Sequence, residues 1–412
     1  MRMFVLWCAA VTLVSAQVSK EQLVAMARQK KPGLEQALKD TFGADSLQKG
    51  TAFAEDHGDL LAVIATAKQP SIAVDDPSRM PAMPLGSLWI YETHVRIATG
   101  HRFTWFVDGK PFGGADVPSF GEDSYPKAGV PQGKLTGPMV MESKIYPEMK
   151  ANVWYYVPAQ WDGVTPLAVE IWGDGQMYVT RPGNYRVLDA LDNLTEQKRI
   201  PLMVNIFIQP GTLAGQPRMR SIEYDTVDDA YARYLLEEIL PEIGKSVKLR
   251  QDGYSRALVG ESSGGICAFN AAFLKPDQFA RVLSWIGSFA ALQTSAAHPA
   301  GGAEYPVIVR HEARRNIRVW LQDGAEDQEN PRAGSWPLAN IHLANSLKLK
   351  EYDYHLSFGP GTHNQSQGAA ELPESLTWLW RGYGPSKTTD EFVQDPAEKD
   401  KPMWRVVKLN RN

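Results

Sequence analysis

The chain has 412 residues, 43% of them hydrophobic, which is more than one ordinary domain contains, so we expect a main domain and an accessory one. The formal net charge is −4, and no cluster of Lys or Arg has the pattern of a phosphate-binding groove, which excludes nucleic acid as a partner. No metal-site spacing is present, and we expect neither a metal nor another cofactor.

The first residues have the pattern of an export signal. Arg2 supplies the positive charge, Phe4 to Val14 form an apolar run, and Val14-Ser15-Ala16 are the small residues before a cleavage site. The run is much shorter than the roughly 20 residues needed to span a bilayer. We therefore predict a signal peptide over residues 1–16, a secreted or periplasmic chain that begins at Gln17, and no stable membrane anchor after cleavage.

The rest of the chain divides into five regions of different pattern. Residues 17–49 predict one or two short helices, and residues 50–124 predict short strands separated by Pro, Gly and Asp, typical of a small β-sandwich. Residues 125–140 are interpreted as a linker. Between residues 141 and 384, apolar strand candidates alternate with helices, which predicts an α/β domain with a mostly parallel sheet. Residues 385–412 form a charged tail.

A candidate nucleophile lies in the α/β region. The run Gly260-Glu261-Ser262-Ser263-Gly264 matches the pattern G-x-S-x-G, between a predicted strand, Arg256 to Val259, and a predicted helix, Ile266 to Leu274. At such a strand-to-helix turn the serine oxygen projects from the sheet, and the flanking glycines allow the strand and helix to approach closely. We therefore predict that Ser262 is a nucleophile.

A nucleophilic serine needs a base and an orienting acid, which in this fold follow it in the order acid, then histidine. The predicted strand Ile317 to Leu321 leads into a loop with three carboxylates. We prefer Asp327, because the loop must leave the strand before its side chain can turn back, while Asp323 and Glu326 remain alternatives. His363 is the predicted base, since it follows a later strand on a glycine-rich loop.

The oxyanion of an acyl-transfer reaction needs backbone donors. We assign one to the N–H of Ser263, directly after the nucleophile, and a second to the N–H of Gln176, in the loop Trp172-Gly173-Asp174-Gly175-Gln176 after an early strand. Four aromatic side chains predicted near the site could stack on a sugar or a catechol, although core packing is the commoner role of such residues. They are Trp172, Tyr178, Trp285 and Trp336.

These motifs together resemble the putative-esterase family of α/β-hydrolases, which includes enterochelin esterases, feruloyl and acetylxylan esterases, and the antigen 85 proteins. The resemblance covers roughly residues 50 to 384. The shared segments are Gly173-Asp174-Gly175-Gln176, Glu237-Glu238-Ile239-Leu240-Pro241, Gly260 to Gly265, Gly287-Ser288-Phe289 and Gly361-Thr362-His363. The family often has Gly-Gly-His where this chain has Gly361-Thr362-His363.

The resemblance implies an α/β-hydrolase domain preceded by an immunoglobulin-like β-sandwich. It favours Asp327 as the acid, because Gly324-Ala325-Glu326-Asp327 matches the family's Gly-x-x-Asp stretch. It implies a serine esterase that forms an acyl-enzyme on a small-molecule or carbohydrate ester, such as a siderophore, feruloyl or acetyl ester. Two alternatives are an acyltransferase on the same fold and a non-catalytic carbohydrate- or siderophore-binding protein. The sequence does not determine the oligomeric state.

Overall fold

The computed structural model describes residues 18–215 and 219–402, which form two compact units. The first unit contains the chain up to Val95 together with Phe103–Ala115, and the second contains Arg96–Arg102 and the chain from Asp116 onward. The predicted export signal lies outside the described residues, so secretion stays a prediction. Within the described ranges, no helix is both long and apolar enough to cross a membrane.

The first unit is built mainly from antiparallel strands. Two four-stranded sheets have the orders β1-β2-β6-β5 and β4-β3-β7-β8, and the ends of β7 and β8 outside Phe103–Ala115 belong to the second unit. Their strands are β1 (Ala52–Asp56), β2 (Asp59–Ile64), β3 (Ser71–Val74), β4 (Met80–Pro81), β5 (Met83–Leu85), β6 (Leu88–His94), β7 (Thr99–Val107) and β8 (Lys110–Ser119). The ring of Phe53 on β1 meets the ring of Phe103 on β7 edge to face, at 6.1 Å between centroids. The predicted β-rich region ahead of the α/β domain is confirmed as antiparallel, and its immunoglobulin-like character stays a prediction.

Two helices precede the sandwich strands, α1 (Lys20–Arg28) and α2 (Leu34–Lys49). Ser19 begins α1 with a capping box, in which its side chain accepts the N–H of Gln22 and the Gln22 side chain accepts the N–H of Ser19. Buried leucines of both helices, including Leu23 and Leu38, share one apolar cluster with Leu61 of β2. Burial of these side chains therefore holds the helices on the first sheet.

The second unit contains an eight-stranded mixed sheet with the order β18-β15-β14-β13-β11-β12-β10-β9. Within this sheet, β18, β15, β14, β13, β11 and β12 are parallel to one another. The strands β10 and β9 are antiparallel to their neighbours and form one edge. The members are β9 (Lys134–Glu142), β10 (Lys150–Val157), β11 (Ala168–Gly173), β12 (Met203–Ile208), β13 (Arg256–Glu261), β14 (Arg281–Trp285), β15 (Arg318–Gly324) and β18 (Asp353–Gly359). A short hairpin, β16 (Glu329–Asn330) with β17 (Gly334–Ser335), follows β15.

Helices cover both faces of this sheet. They are α3 (Val187–Glu196), α4 (Met219–Asp225), α5 (Ala230–Tyr234), α6 (Leu240–Ile243), α7 (Ser263–Leu274), α8 (Tyr305–His311), α9 (Trp336–Leu349), α10 (Ser366–Ala370), α11 (Leu372–Leu379) and α12 (Pro396–Lys399). Successive strand residues enter different cores: Ile171 and Leu258 pack with Phe269 of α7, whereas Trp172 and Val259 belong to the cluster on the opposite face. The predicted α/β-hydrolase fold is confirmed.

Two segments differ from the sequence-based interpretation. Residues 134–142, partly interpreted as linker, form the edge strand β9, where an edge position tolerates Pro138. A second difference from a simple alternation of strands and helices is that α5 and α6 are separated by one π-helical turn, Leu235–Ile239. The described part of the tail packs against the rest of the second unit, for example where Arg314 Nη1 donates to the carbonyl of Phe392 at 2.7 Å.

Candidate active site

The site lies where the parallel strands end. The carboxyl ends of β11, β13, β14, β15 and β18 meet at one edge of the sheet, so the loops that follow these strands are neighbours. Four of these loops contain the residues that the sequence singled out: Gln176 follows β11, Ser262 follows β13, Asp327 follows β15 and His363 follows β18. The order of strands therefore explains how residues far apart in sequence reach one site.

Ser262 occupies a sharp turn between β13 and α7. Its backbone has φ +58° and ψ −120°, a conformation that non-glycine residues rarely adopt. The turn depends on close backbone approach, because a Cβ at Gly260 would lie 2.1 Å from the backbone of Gly264. A Cβ at Gly265 would lie 2.5 Å from Ser284 Oγ. Gly260 and Gly265 are thus required by the geometry that presents the Ser262 hydroxyl.

A chain of hydrogen bonds joins Ser262, His363 and Asp327. Ser262 Oγ lies 2.8 Å from His363 Nε2, and His363 Nδ1 lies 2.5 Å from Asp327 Oδ1. The Asp327 side chain is fully buried and that of His363 is 16% exposed. With its Nδ1–H donated to the carboxylate, the imidazole presents Nε2 as an acceptor for the serine O–H. This tautomer is the one that a general base needs.

The three carboxylates after β15 have different surroundings. Asp327 is the one that binds His363, and its Oδ1 also accepts the N–H of Gln328. Asp323 is buried and accepts the N–H of Gly324 at 2.7 Å. Glu326 has a side chain that is 57% exposed and points to Arg102. Of these three carboxylates, only Asp327 is hydrogen-bonded to His363.

Ser288 contacts Ser262, and Trp336 contacts both Ser288 and His363. Ser288 Oγ lies 3.2 Å from Ser262 Oγ and accepts the indole N–H of Trp336 at 3.0 Å. The Trp336 ring meets the His363 ring edge to face, at 5.9 Å between centroids. Sequence reasoning gave Ser288 no role in the site, although its position in Gly287-Ser288-Phe289, directly after β14, could have indicated one.

Arg102 and Asp116 hold the loops of the acid and the histidine. Asp116 Oδ2 accepts the backbone N–H and the hydroxyl of Thr362, at 2.7 and 2.8 Å, and the side-chain N–H of Asn364. Arg102 donates to Asp116 at 2.8 Å and to Glu326 at 2.7 Å. The sequence gave no signal for these residues, because they precede their partners by more than 200 positions and belong to no motif.

The two predicted oxyanion donors lie in different local structures. Ser263 is the first residue of α7, where backbone N–H groups have no acceptor within the helix. Gln176 lies in a one-turn 3₁₀ helix, Gly175–Met177, after Asp174, whose φ is +55°. A Cβ at Gly175 would lie 2.3 Å from the backbone nitrogen of Ile208, so glycine is required there. The loop is therefore fixed tightly against β12.

Arg220 connects the Gln176 loop to the serine turn. Its guanidinium donates to both oxygens of Asp174, each at 2.7 Å, and Nη2 also donates to the carbonyl of Glu261 at 3.2 Å. Such a bidentate pair fixes both position and orientation. Arg220 therefore sets the distance between the Gln176 loop and the Ser263 N–H.

Replacing Arg220 by alanine is expected to lower kcat for an aryl ester by about 10- to 100-fold, because loss of a whole oxyanion donor costs about 10²–10³-fold and a displaced donor costs less. Lysine is expected to restore little, since it cannot pair with both oxygens of Asp174. The matched control is Arg233→Ala, which removes an arginine whose side chain is 45% exposed. Steady-state kinetics checks this, and a kcat for Arg220→Ala within twofold of the control would contradict it.

Buried acids lie beside the serine turn. Burial raises the pKa of Glu261, whose carboxyl accepts a hydrogen bond from the Tyr185 hydroxyl. Burial also raises the pKa of Glu223 to about 8, and raises that of Asp225, which bonds to Ser263 and Ser221. These acids are therefore more readily protonated than usual.

In the described part of the chain, no three His, Cys, Asp or Glu side chains are grouped to hold a metal ion.

The four aromatic residues near the site are core residues. Trp172, Tyr178 and Trp285 are 0–1% exposed, and Trp172 contacts both of the others, with ring centroids 5.2 and 6.3 Å apart. Trp336 is 4% exposed. Their faces are occupied by protein, which leaves no open ring on which a sugar or a catechol could stack.

Comparisons with known proteins give a consistent result. A family model described as "Putative esterase" matches residues 145–379. The iron(III) enterobactin esterase of Dickeya dadantii (strain 3937) is 23% identical over 242 residues, which are 57% of this chain and 52% of that relative. The chain therefore aligns with about half the length of this curated relative.

Two solved structures share the fold. The ferric enterobactin esterase of Salmonella typhimurium aligns with a TM-score of 0.55 and 16% identity, over 81% of this chain and 97% of that one. The enterobactin esterase of Shigella flexneri, solved in the presence of enterobactin, also aligns with a TM-score of 0.55 and 16% identity, over 81% and 96% of the two chains. At this identity the likeness shows a common fold.

Proposed function

This chain belongs to the esterase family whose model spans residues 145–379, and on that premise we propose that it is a serine esterase that forms an acyl-enzyme on Ser262. The single observation that supports this proposal is the continuous hydrogen-bonded chain from Ser262 through His363 to Asp327. This series of hydrogen bonds lies at the edge of the sheet where the two predicted oxyanion donors also lie. A serine, a base oriented by a buried acid, and preorganised N–H donors are the parts that acyl transfer requires.

In the proposed acylation step, Ser262 Oγ attacks the ester carbonyl carbon while its proton moves to His363 Nε2. The carbonyl oxygen becomes an oxyanion, which the N–H groups of Ser263 and Gln176 stabilise. When the tetrahedral intermediate collapses, the bond to the alcohol oxygen breaks and the imidazolium returns its proton to the departing alcohol. The acyl group is then an ester of Ser262.

Deacylation repeats these steps with water. His363 takes a proton from the water molecule as its oxygen attacks the acyl carbon, and the proton then returns to Ser262 Oγ as the free acid leaves. Asp327 remains ionised in both steps, where it holds the imidazole in one tautomer and stabilises its cation. Since Asp327 is fully buried, water screens its interaction with His363 little.

The relatives suggest which substrate class to propose. The Dickeya relative is an iron(III) enterobactin esterase, and both solved structures are enterobactin esterases. We therefore propose a siderophore-type polyester as the first substrate to test, with sugar-bound feruloyl and acetyl esters as the second class. Water is the proposed acyl acceptor, since nothing in the described site favours a sugar or polyol in its place.

A panel of esters tests this function. The chain from Gln17 is assayed with ferric and iron-free enterobactin, methyl ferulate, an acetylated xylose and a p-nitrophenyl ester, and products are separated with and without an added alcohol. We expect the free acid as the product from at least one member, with Ser262→Ala as the background. Activity no greater than that background on every member would overturn the proposal. Transfer of the acyl group to the alcohol as the main product would instead indicate an acyltransferase.

A further inference from the structure

Asp323 is a buried acid to which the proposed mechanism gives no role. It lies near the end of β15, is 0% exposed, and uses Oδ1 to accept the N–H of Gly324 at 2.7 Å. Its carboxyl contacts that of Asp327. In the described part of the chain, no donor group serves either Asp323 Oδ2 or Asp327 Oδ2, although both atoms are buried. A buried carboxylate oxygen without a donor is unfavourable, and one proton shared between the two carboxyls would serve both atoms.

The donors around the pair indicate which acid carries that proton. Asp327 Oδ1 is bound by the Nδ1–H of His363 and by the N–H of Gln328, and both bonds favour an ionised carboxylate. Asp323 accepts one backbone N–H, and its carboxyl also contacts the neutral amide of Asn340 on α9. Its burial, together with the hydrogen bond to Asp327 and the negative charge of Asp327, raises the pKa of Asp323 well above its usual range. The Gly324 and Asn340 contacts lower that pKa, but by less than burial and Asp327 raise it.

We infer that Asp323 is a protonated carboxylic acid that donates its O–H to Asp327 Oδ2 and thereby holds the triad acid in line with His363. Asp323 is then a positioning residue, since it acts through Asp327 and does not touch the substrate. This inference rests on the proposed role of Ser262, Asp327 and His363, and it gives Asp323, the alternative triad acid, a function of its own.

Two substitutions test whether Asp323 acts as a hydrogen-bond donor or as a negative charge. Asp323→Asn replaces the O–H by an amide N–H, keeps an oxygen for the N–H of Gly324, and is expected to keep kcat within about threefold of wild type. Asp323→Ala removes both interactions and is expected to lower kcat by about 10- to 100-fold with little change in KM, the effect of leaving buried polar groups unpaired. Glu329→Ala, which removes an exposed acid from the same loop, is the matched control.

The pH profile distinguishes a proton donor from a second carboxylate. The acid limb of kcat/KM reports the ionisation of the free enzyme's base. If Asp323 is neutral, Asp323→Asn removes no charge, and we expect the midpoint of that limb to remain where it is in wild type. An ionised Asp323 would stabilise the imidazolium, so its removal would lower the midpoint by roughly 1 unit or more. A shift of that size, or equal kcat values for the Asn and Ala variants, would overturn the inference.

Protein stability gives a readout that needs no catalysis. A native Asp323 that keeps its proton binds more protons than the unfolded chain does at any pH above the usual Asp range of about 4. Its contribution to stability is therefore full below that range and declines as the pH rises toward its elevated native pKa.

Asparagine does not titrate, so the unfolding free energy of Asp323→Asn relative to wild type is expected to increase between pH 5 and pH 8. Urea unfolding at these two pH values checks this. If the difference in unfolding free energy between Asp323→Asn and wild type stays constant with pH, Asp323 is not protonated in the native protein and the inference is wrong. If only the proposed esterase function is wrong, the pH dependence of this difference is still expected.

Discussion

Replacing Ser262 by alanine is expected to lower kcat for ester hydrolysis by about 10⁴-fold or more, while substrate binding changes little. The reason is chemical: alanine has no oxygen to form the acyl-enzyme, and the 2.8 Å contact with His363 Nε2 then has no nucleophile to activate. The remaining rate should come from the oxyanion donors and substrate binding alone. Steady-state kinetics on a p-nitrophenyl ester measures the effect.

The matched control for this substitution is Ser295→Ala, which removes an exposed serine hydroxyl from the loop after β14. We expect its kcat to equal that of wild type. A Ser262→Ala enzyme that keeps more than about a tenth of the wild-type kcat would contradict the assignment, because loss of a triad nucleophile alone costs about as much as loss of the whole triad. Such a result would direct attention to Ser288, whose hydroxyl lies 3.2 Å from that of Ser262.

Replacing Asp327 by asparagine is expected to lower kcat by about 10⁴-fold. An amide can turn its N–H₂ group toward His363 Nδ1, which then becomes an acceptor, and the ring proton moves to Nε2. In that tautomer Nε2 donates to Ser262 and cannot take its proton. The effect should therefore appear in kcat, with the fold retained, although the N–H of Gln328 loses its acceptor and some stability is lost with it.

The neighbouring acid gives a direct comparison. Glu326→Gln alters a mostly exposed side chain that bonds to Arg102 and does not contact His363. We expect its kcat to fall by less than tenfold, through a small shift of the loop. Should Glu326→Gln lose more activity than Asp327→Asn under the same conditions, the assignment of Asp327 would be wrong.

The candidate nucleophile and the candidate base could be singled out from sequence because their signals are local. Ser262 lies between an apolar strand and an apolar helix, and the glycines around it are those that the turn requires, as the 2.1 Å approach at Gly260 shows. His363 follows a strand on a glycine-rich loop. The parallel sheet was also predictable, because strands that are buried on both faces have an apolar pattern that differs from the helices between them.

The choice between Asp323 and Asp327 was harder to make from sequence. The two acids are four residues apart after the same strand, and both are buried in the structure. What separates them is the direction of the chain at Gly324, after which the loop turns toward His363. That direction depends on tertiary contacts, and the preference for Asp327 therefore needed the family resemblance as well as turn chemistry.

The supporting contacts could not be predicted at all. Arg102 and Asp116 bond to the loops of Glu326 and Thr362, which they precede by 224 and 246 positions, respectively. Arg220 belongs to no motif, and its role depends on how α4 lies beside Asp174. Polar contacts of this kind follow from tertiary geometry, while sequence patterns mainly report local structure and burial.

The central claim is that Ser262 is the nucleophile, and covalent labelling tests it most directly. The chain from Gln17 is treated with a fluorophosphonate, and intact mass and peptide mapping then locate the adduct. We predict one adduct per chain on the peptide that contains Ser262, full loss of activity in step with labelling, and no adduct on Ser262→Ala. An adduct on a different residue, or an unlabelled chain that still hydrolyses esters, would contradict the claim.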